Sequence, residues 1–203
     1  MSQISQLIAE AKNISGSISF SEVVKATTGY DVTPLDLDDP DDKKLYHAIE
    51  KAAKDFIVYV NKTGTRFQGN RINDIGKKIE EVFVGELTKT TLKPQKLSAS
   101  GYPDIQIVDT AGRLTYIESK ATSVNQWDST FRSFYYTNGN KIKANAHHLL
   151  IGWMIVEEKE KYWKVTGWKL CDLSKLKRML IKVEFNQGNN ALYCDEMLLS
   201  ESK

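Results

Sequence analysis

The sequence predicts an α/β fold, and three observations carry that expectation. Apolar residues recur at helical spacing as far as about residue 87, the pattern changes to strand-like alternation at residue 104, and residues 148–156 form a continuous apolar run. In chain order, Ile4, Leu7, Ile8 and Ala11 place a helix near the N-terminus. A second helix starts at Leu37 to Pro40: Asp39 is suited to cap it, Pro40 to its first position, and Asp41 and Asp42 to its positive end. Behind that start, Leu45, Ile49, Ala52, Phe56 and Val60 form one apolar stripe. The aspartate run 36–42 lacks the central Gly and the closing Glu of a calcium loop, so it reads as a capped helix start. Asn61 to Asn70 is a polar loop. A third helix over Arg71 to Leu87 buries Ile72, Ile75, Ile79, Val82, Phe83 and Leu87, and Lys89 to Gly101 is a basic polar connection.

Asp104 to Val108 and Leu114 to Lys120 then read as two strands joined by turn residues around Gly112, which makes a hairpin. Residues 126–136 predict a helix, with Trp127, Phe131 and Phe134 spaced for a core. His148 to Val156 has the length and character of a buried central strand. Tyr162 to Leu170 predicts a further strand. Leu173 to Leu180 predicts a short helix capped by Asp172.

The 203 residues, 41% of them hydrophobic, suit one compact domain, divided at most into a helical N-terminal segment (1–60) and a core (61–203). No membrane span and no signal peptide are visible. Cys171 and Cys194 sit in no metal-binding pattern, and a reduced cytoplasmic protein is expected. Residues 1–60 hold 6 Lys/Arg against 10 Asp/Glu, and residues 61–203 hold 22 against 16. A mildly basic body behind an acidic segment is compatible with phosphate contacts, and equally with surface scatter.

The chemistry concentrates in Gly101-Tyr-Pro-Asp104 and Tyr116-Ile-Glu-Ser-Lys120. Strand side chains alternate, so Glu118 and Lys120 project from one face. Asp104 opens the partner strand and can reach the same end. Two carboxylates about 4 Å apart repel by about 4 kcal/mol at an effective dielectric near 20. A divalent cation relieves that repulsion, and a cation with open water positions suits phosphodiester hydrolysis. Lys120 would then stand beside the attacking water or the phosphate.

These elements resemble the PD-(D/E)xK nuclease superfamily and, within it, the type II restriction endonucleases, over roughly residues 70–193. Asn73 to Glu81 resembles the family's preceding helix, in which Gly76 leads to Glu80 as a further acid, with Glu81 as the alternative. Phe131 to Trp153 looks like the DNA-approaching segment and the following core strand, and Leu170 to Tyr193 like the C-terminal part. The resemblance implies a mixed central sheet flanked by helices, with the catalytic hairpin on its edge. It also implies Mg²⁺ held by Asp104, Glu118 and the Ser119 carbonyl, double-stranded DNA as substrate, and a homodimer. A companion DNA methyltransferase would belong to the same system. Other nucleases of this fold, such as junction resolvases and repair endonucleases, and a non-catalytic DNA-binding protein are the competing functions.

For DNA contact the expected residues are Arg132, Tyr135, Tyr136, Asn138, Asn140, Lys141 and Lys143, since Arg and Lys suit phosphates and Asn can read adenine edges. His147 and His148 lie on opposite faces of a strand with no metal-binding frame around them, so a structural role, or one phosphate contact, is expected.

Overall fold

The computed structural model describes residues 2–97, 101–126, 128, 134–137 and 139–184. Its chain divides into two compact units, Ser19–Lys177 and a smaller one formed by Met1–Ile18 with Arg178–Lys203.

In the larger unit, helix α2 (Phe20–Thr28) starts at a capping box: the Ser19 hydroxyl accepts the Glu22 N–H, and the Glu22 carboxylate accepts the Ser19 N–H. It ends at Gly29, whose φ of 78° closes the helix in the left-handed region. Strand β1 is the short pair Val32–Thr33. Helix α3 (Pro40–Lys62) begins as expected, with the Asp39 carboxylate accepting the Asp41 and Asp42 N–H groups, both at 2.9 Å. Strand β2 (Phe67–Gln68), helix α4 (Ile72–Leu87) and strands β3 (Lys93–Lys96), β4 (Ile105–Val108), β5 (Leu114–Ser123), β6 (Ala146–Lys159) and β7 (Tyr162–Asp172) complete this unit.

The strands form one mixed sheet of order β2-β7-β6-β5-β4-β3, with β1 paired to the start of β6. Strands β5 and β6 run parallel, whereas β4–β5, β3–β4 and β6–β7 are antiparallel. Helices α3 and α4 cover one face. Their apolar stripes meet Ile117, Ile151 and Trp153 of the sheet in the main core, where the Trp153 indole lies 4.6 Å from the Phe56 ring and 4.9 Å from Phe83. Phe20 of α2 contributes to a second aromatic cluster with Tyr102, Phe134, Tyr136 and His148. This is the α/β architecture expected, a mixed sheet flanked by helices.

Three local expectations are corrected. Lys93–Lys96, expected as connection, is an edge strand, so the β4–β5 hairpin is one strand in from the edge. Lys-Pro-Gln-Lys carries no apolar alternation, and an edge strand needs none. Residues 126–136 give no helix among those described: Val124–Gln126 is a 3₁₀ turn, and 134–137 has no regular structure. Phe134 and Tyr136, two residues apart, both reach Phe20, which is the spacing of extended backbone rather than helix. Trp127 and Phe131 lie outside the described residues. The helix expected over 173–180 is a 3₁₀ turn, Leu173–Lys175, capped by Asp172 as foreseen.

In the smaller unit, helix α1 (Gln3–Ile14) is capped by the Ser2 hydroxyl and buries none of its residues. After it, Ile18 bridges Met179, and the Gly16 N–H donates to the Met179 carbonyl. Among the described residues no helix is long and apolar enough to cross a membrane.

Candidate active site

The antiparallel register places Ile105 opposite Ile117 and so brings Asp104 beside the middle of β5. The Asp104 N–H donates to the Ile117 carbonyl at 3.1 Å, and the Asp104 Oδ2 accepts the Ser119 N–H at 2.9 Å. One carboxylate is therefore aimed by two backbone bonds across the hairpin. Glu118 and Lys120 share a face of β5, and the Lys120 Nζ lies 2.6 Å from the Glu118 Oε1.

Glu118 is 3% exposed, and its Oε2 has no hydrogen-bond partner among the described residues. Its carboxyl is pushed up to about 7, first by burial and then by the negative charge of Asp104; the Lys120 and Lys141 ammonium groups oppose this. The fold thus holds two mutually repelling carboxylates in place, one with an unused oxygen, a donor set that fits a hard divalent cation. Among the described residues no three acidic, His or Cys side chains gather as a ready-made cage. The pair Asp104 and Glu118 is what the site offers, with the Ser119 backbone between Glu118 and Lys120.

A cleft of ≈ 740 Å³ opens at this point. Asp104, Ser119 and Lys120 line it from the sheet, Glu80, Arg71, Asn73 and Lys77 from α4, and Tyr135 from the loop after β5. Of the two alternative acids on α4, Glu80 is buried and senses the charge of Asp104, whereas Glu81 is exposed. Burial pushes the Glu80 carboxyl up, in part offset by the Lys96 ammonium, which lies 3.1 Å away and also reaches Glu81 at 3.4 Å. The pairing of Lys96 with Glu80 was not foreseen, because a four-residue polar edge strand leaves no periodic signal. Arg71 and Lys77 were also missed as cleft residues. Neither has a carboxylate partner among the described residues, and the helix that carries them was read for its buried side and for its acid, not for its cations.

The residues expected to meet DNA separate into several groups. Tyr135 is 58% exposed and lines the cleft. Asn140 and Lys143 are exposed, and the Lys143 N–H donates to the Tyr116 hydroxyl at 2.9 Å. Tyr136 is turned into the aromatic cluster, with its hydroxyl 2.6 Å from that of Thr27. Lys141 donates to the Gly101 and Pro103 carbonyls at 2.6 and 2.7 Å. Arg132 and Asn138 lie outside the described residues. His148 is buried against Tyr102, its Nδ1 lying 2.7 Å from the tyrosine hydroxyl; burial, with the neighbouring His147, lowers its pKa to about 4. His147 donates from Nδ1 to the Thr33 carbonyl and places Nε2 3.2 Å from Asp42, well away along β6.

Compared with known proteins, residues 14–196 match the model of the type II restriction enzyme MjaV family. The chain belongs to that family. It is 34% identical to the type II restriction enzyme MjaV of Methanocaldococcus jannaschii over 91% of this chain and 88% of that protein. No solved structure matches it. Type II restriction enzymes are site-specific deoxyribonucleases, so membership makes the chain an enzyme of that class. In this MjaV-family chain the cleft is lined by Asp104 and Lys120 from the hairpin and by Glu80 from α4, with the buried Glu118 paired to Lys120 behind its wall.

Proposed function

We propose that this chain is a Mg²⁺-dependent type II restriction endonuclease that hydrolyses double-stranded DNA at a short specific sequence, with Asp104, Glu118 and Lys120 as its catalytic residues. The observation that carries the reading is the buried Glu118 held beside Asp104 with one oxygen unused. Asp104, Glu118 and the Ser119 carbonyl would hold the cation. When bound, Mg²⁺ supplies neutralisation of the acid pair, a more acidic water and polarisation of a phosphoryl oxygen. Lys120, at the cleft wall, orients the attacking water or the phosphate and stabilises the charge that develops on phosphorus-bound oxygens. Glu80 adds an acid on the opposite wall, with its charge balanced by Lys96. Arg71 and Lys77 give that wall the positive charge that a DNA backbone needs.

Tyr135, Asn140 and Lys143, and from the resemblance Arg132 and Asn138, approach the duplex. A palindromic site would be met by a homodimer, to which the N-terminal segment contributes an interface or a cover. A cytoplasmic location and a companion methyltransferase complete the expected system. The test is digestion of plasmid and phage DNA with and without Mg²⁺, comparing the natural chain with Asp104→Ala. Discrete Mg²⁺-dependent fragments that vanish in the variant are expected. A smear would remove the site-specific reading and leave the nuclease. Cleavage confined to branched DNA would favour a structure-specific enzyme, and intact DNA under all conditions would favour a binding protein.

A further inference from the structure

We infer that Lys141 is a positioning residue for Asp104: its ammonium clamps the backbone on both sides of Tyr102-Pro103 and so fixes where the Asp104 carboxylate stands. The inference rests on the reading of Asp104 as a catalytic acid. The peptide group joining Pro103 to Asp104 is bonded at both ends, its carbonyl by the Lys141 Nζ at 2.7 Å and its N–H by the Ile117 carbonyl at 3.1 Å. The same ammonium takes the Gly101 carbonyl at 2.6 Å. Gly101 stands at φ 87°, where a residue without Cβ is free to move between basins, so an external tie matters there.

The clamp is itself anchored. Next to Lys141, Ile142 is buried and its N–H donates to the Gly139 carbonyl at 2.8 Å, while the Lys143 N–H donates to the buried Tyr116 hydroxyl at 2.9 Å. The loop that carries Lys141 is thereby stitched to the strand that carries Glu118. Among the described residues Lys141 pairs with no carboxylate, and two of its three ammonium protons are already given to carbonyls. A side chain so committed acts on the backbone around Asp104 before it acts on DNA, which differs from the phosphate contact that its charge alone suggests.

The test is single-turnover cleavage of a phage DNA fragment carrying one mapped cut site, with enzyme titrated at several salt concentrations. The chains compared are wild type, Lys141→Met, Lys141→Arg and Asp104→Ala, each with a thermal melt. A clamp predicts that Lys141→Met lowers the saturated rate by roughly 10–100-fold, because a displacement near 1 Å at a reacting centre has that effect. The half-saturating enzyme concentration and its salt slope should not change. A phosphate contact predicts the reverse: an intact saturated rate, a raised half-saturating concentration and a slope flatter by about 0.9. That result would overturn the proposal. If Lys141→Met does not fold, Lys141→Arg decides. It keeps the charge, so a phosphate contact predicts wild-type cleavage, whereas a clamp fitted to an ammonium predicts a slower saturated rate at unchanged slope. Should Asp104→Ala cut like wild type, the reading of the site itself fails and the clamp goes with it. An inert Asp104→Ala beside a fully active Lys141→Met would remove the clamp alone.

Discussion

Two polar networks lie at different points along β5, and their acids are satisfied to different degrees. Where β5 and β6 begin, Asp42, Asp109, Arg113 and His147 bind one another closely. Arg113 reaches Asp42 at 2.6 Å and Asp109 at 2.8 Å, the Asp109 Oδ1 accepts the Ala111 and Arg113 N–H groups, and the Asp42 Oδ2 accepts the Asp36 N–H. Burial pushes the Asp42 carboxyl up, but the Asp36 N–H, Arg113 and His147 outweigh it and hold it below its ordinary value. Farther along β5, Glu118 is buried with an unused oxygen and a neighbouring negative charge, and its carboxyl rises to about 7. The oxygens of the first network's buried acids all have partners, although the buried Arg113 Nη2 has none among the described residues. The second keeps an unmet need for positive charge, which is what a site reserved for a ligand retains.

The contrast breaks most sharply at Asp104. Asp104→Ala removes one of the two carboxylates and should lower Mg²⁺-dependent cleavage by roughly 10³-fold, while the melting temperature stays near that of the wild type. Gel assays and calorimetry on the same preparations check this; an active variant would place the chemistry elsewhere.

Glu118→Gln should abolish cleavage and also stabilise the metal-free protein. The folded state raises this carboxyl from 4.5 to about 7, so it binds the proton more tightly than the unfolded chain does. Below about pH 4.5 both states are protonated and nothing is lost. As the pH rises to about 7 and beyond, the folded state bears the cost of the buried charge, about 3 kcal/mol. Urea unfolding of the two chains at pH 8 and pH 4.5 should therefore show the variant ahead by about that amount at pH 8 and level at pH 4.5. Equal stabilities at both pH values would contradict the account of Glu118.

Asp42→Ala sharpens the comparison from the other side. It removes one of the two close carboxylate partners of Arg113 and the acid that faces His147, and should destabilise the fold by about 2 kcal/mol, less than a fully buried pair would cost because Arg113 is partly exposed and keeps Asp109. Cleavage well below the melting temperature should not change. The sign with pH is also opposite, since the Asp42 carboxyl is lowered in the fold. Its contribution is present above about pH 3.8 and is lost as acid takes the pH through the lower folded value. The smallest effect is expected for Lys96→Met. The ion pair with Glu80 is partly exposed on the lysine side, so cleavage should change by less than about fivefold, measured at saturating Mg²⁺.

Much of this was legible in the residue order. The helix start at Asp39-Pro40, the stripe from Leu45 to Val60 and the hairpin from Asp104 to Lys120 were readable because caps, period and turn residues agree locally. Glu80 could be narrowed to two candidates by its spacing from Gly76, and the helix rotation that separates Glu80 from Glu81 follows from packing against the sheet. Less legible was whatever depends on partners distant in sequence. Lys96 meets Glu80, Lys141 meets Gly101 and Pro103, and Tyr102 meets His148 only because the sheet brings them together. Strand β3 was missed because its pairing is with a neighbour, not with a period of its own. Tyr136 was expected at DNA because it lies in the segment that resembles a DNA-approaching one, whereas its ring goes to the cluster around Phe20.

Strand β3 has one more consequence, for coexistence with other copies of the chain. It ends one side of the sheet with Lys-Pro-Gln-Lys, and Pro94 has no N–H to offer a further strand, while lysines stand at both ends. At the other side of the sheet the terminal strand, β2, is two residues long. A proline-interrupted, positively charged border and a very short one are poor templates for an incoming strand. Among the described residues the long, apolar β6 is thereby kept in the interior of the sheet, away from both borders at which a further strand could add.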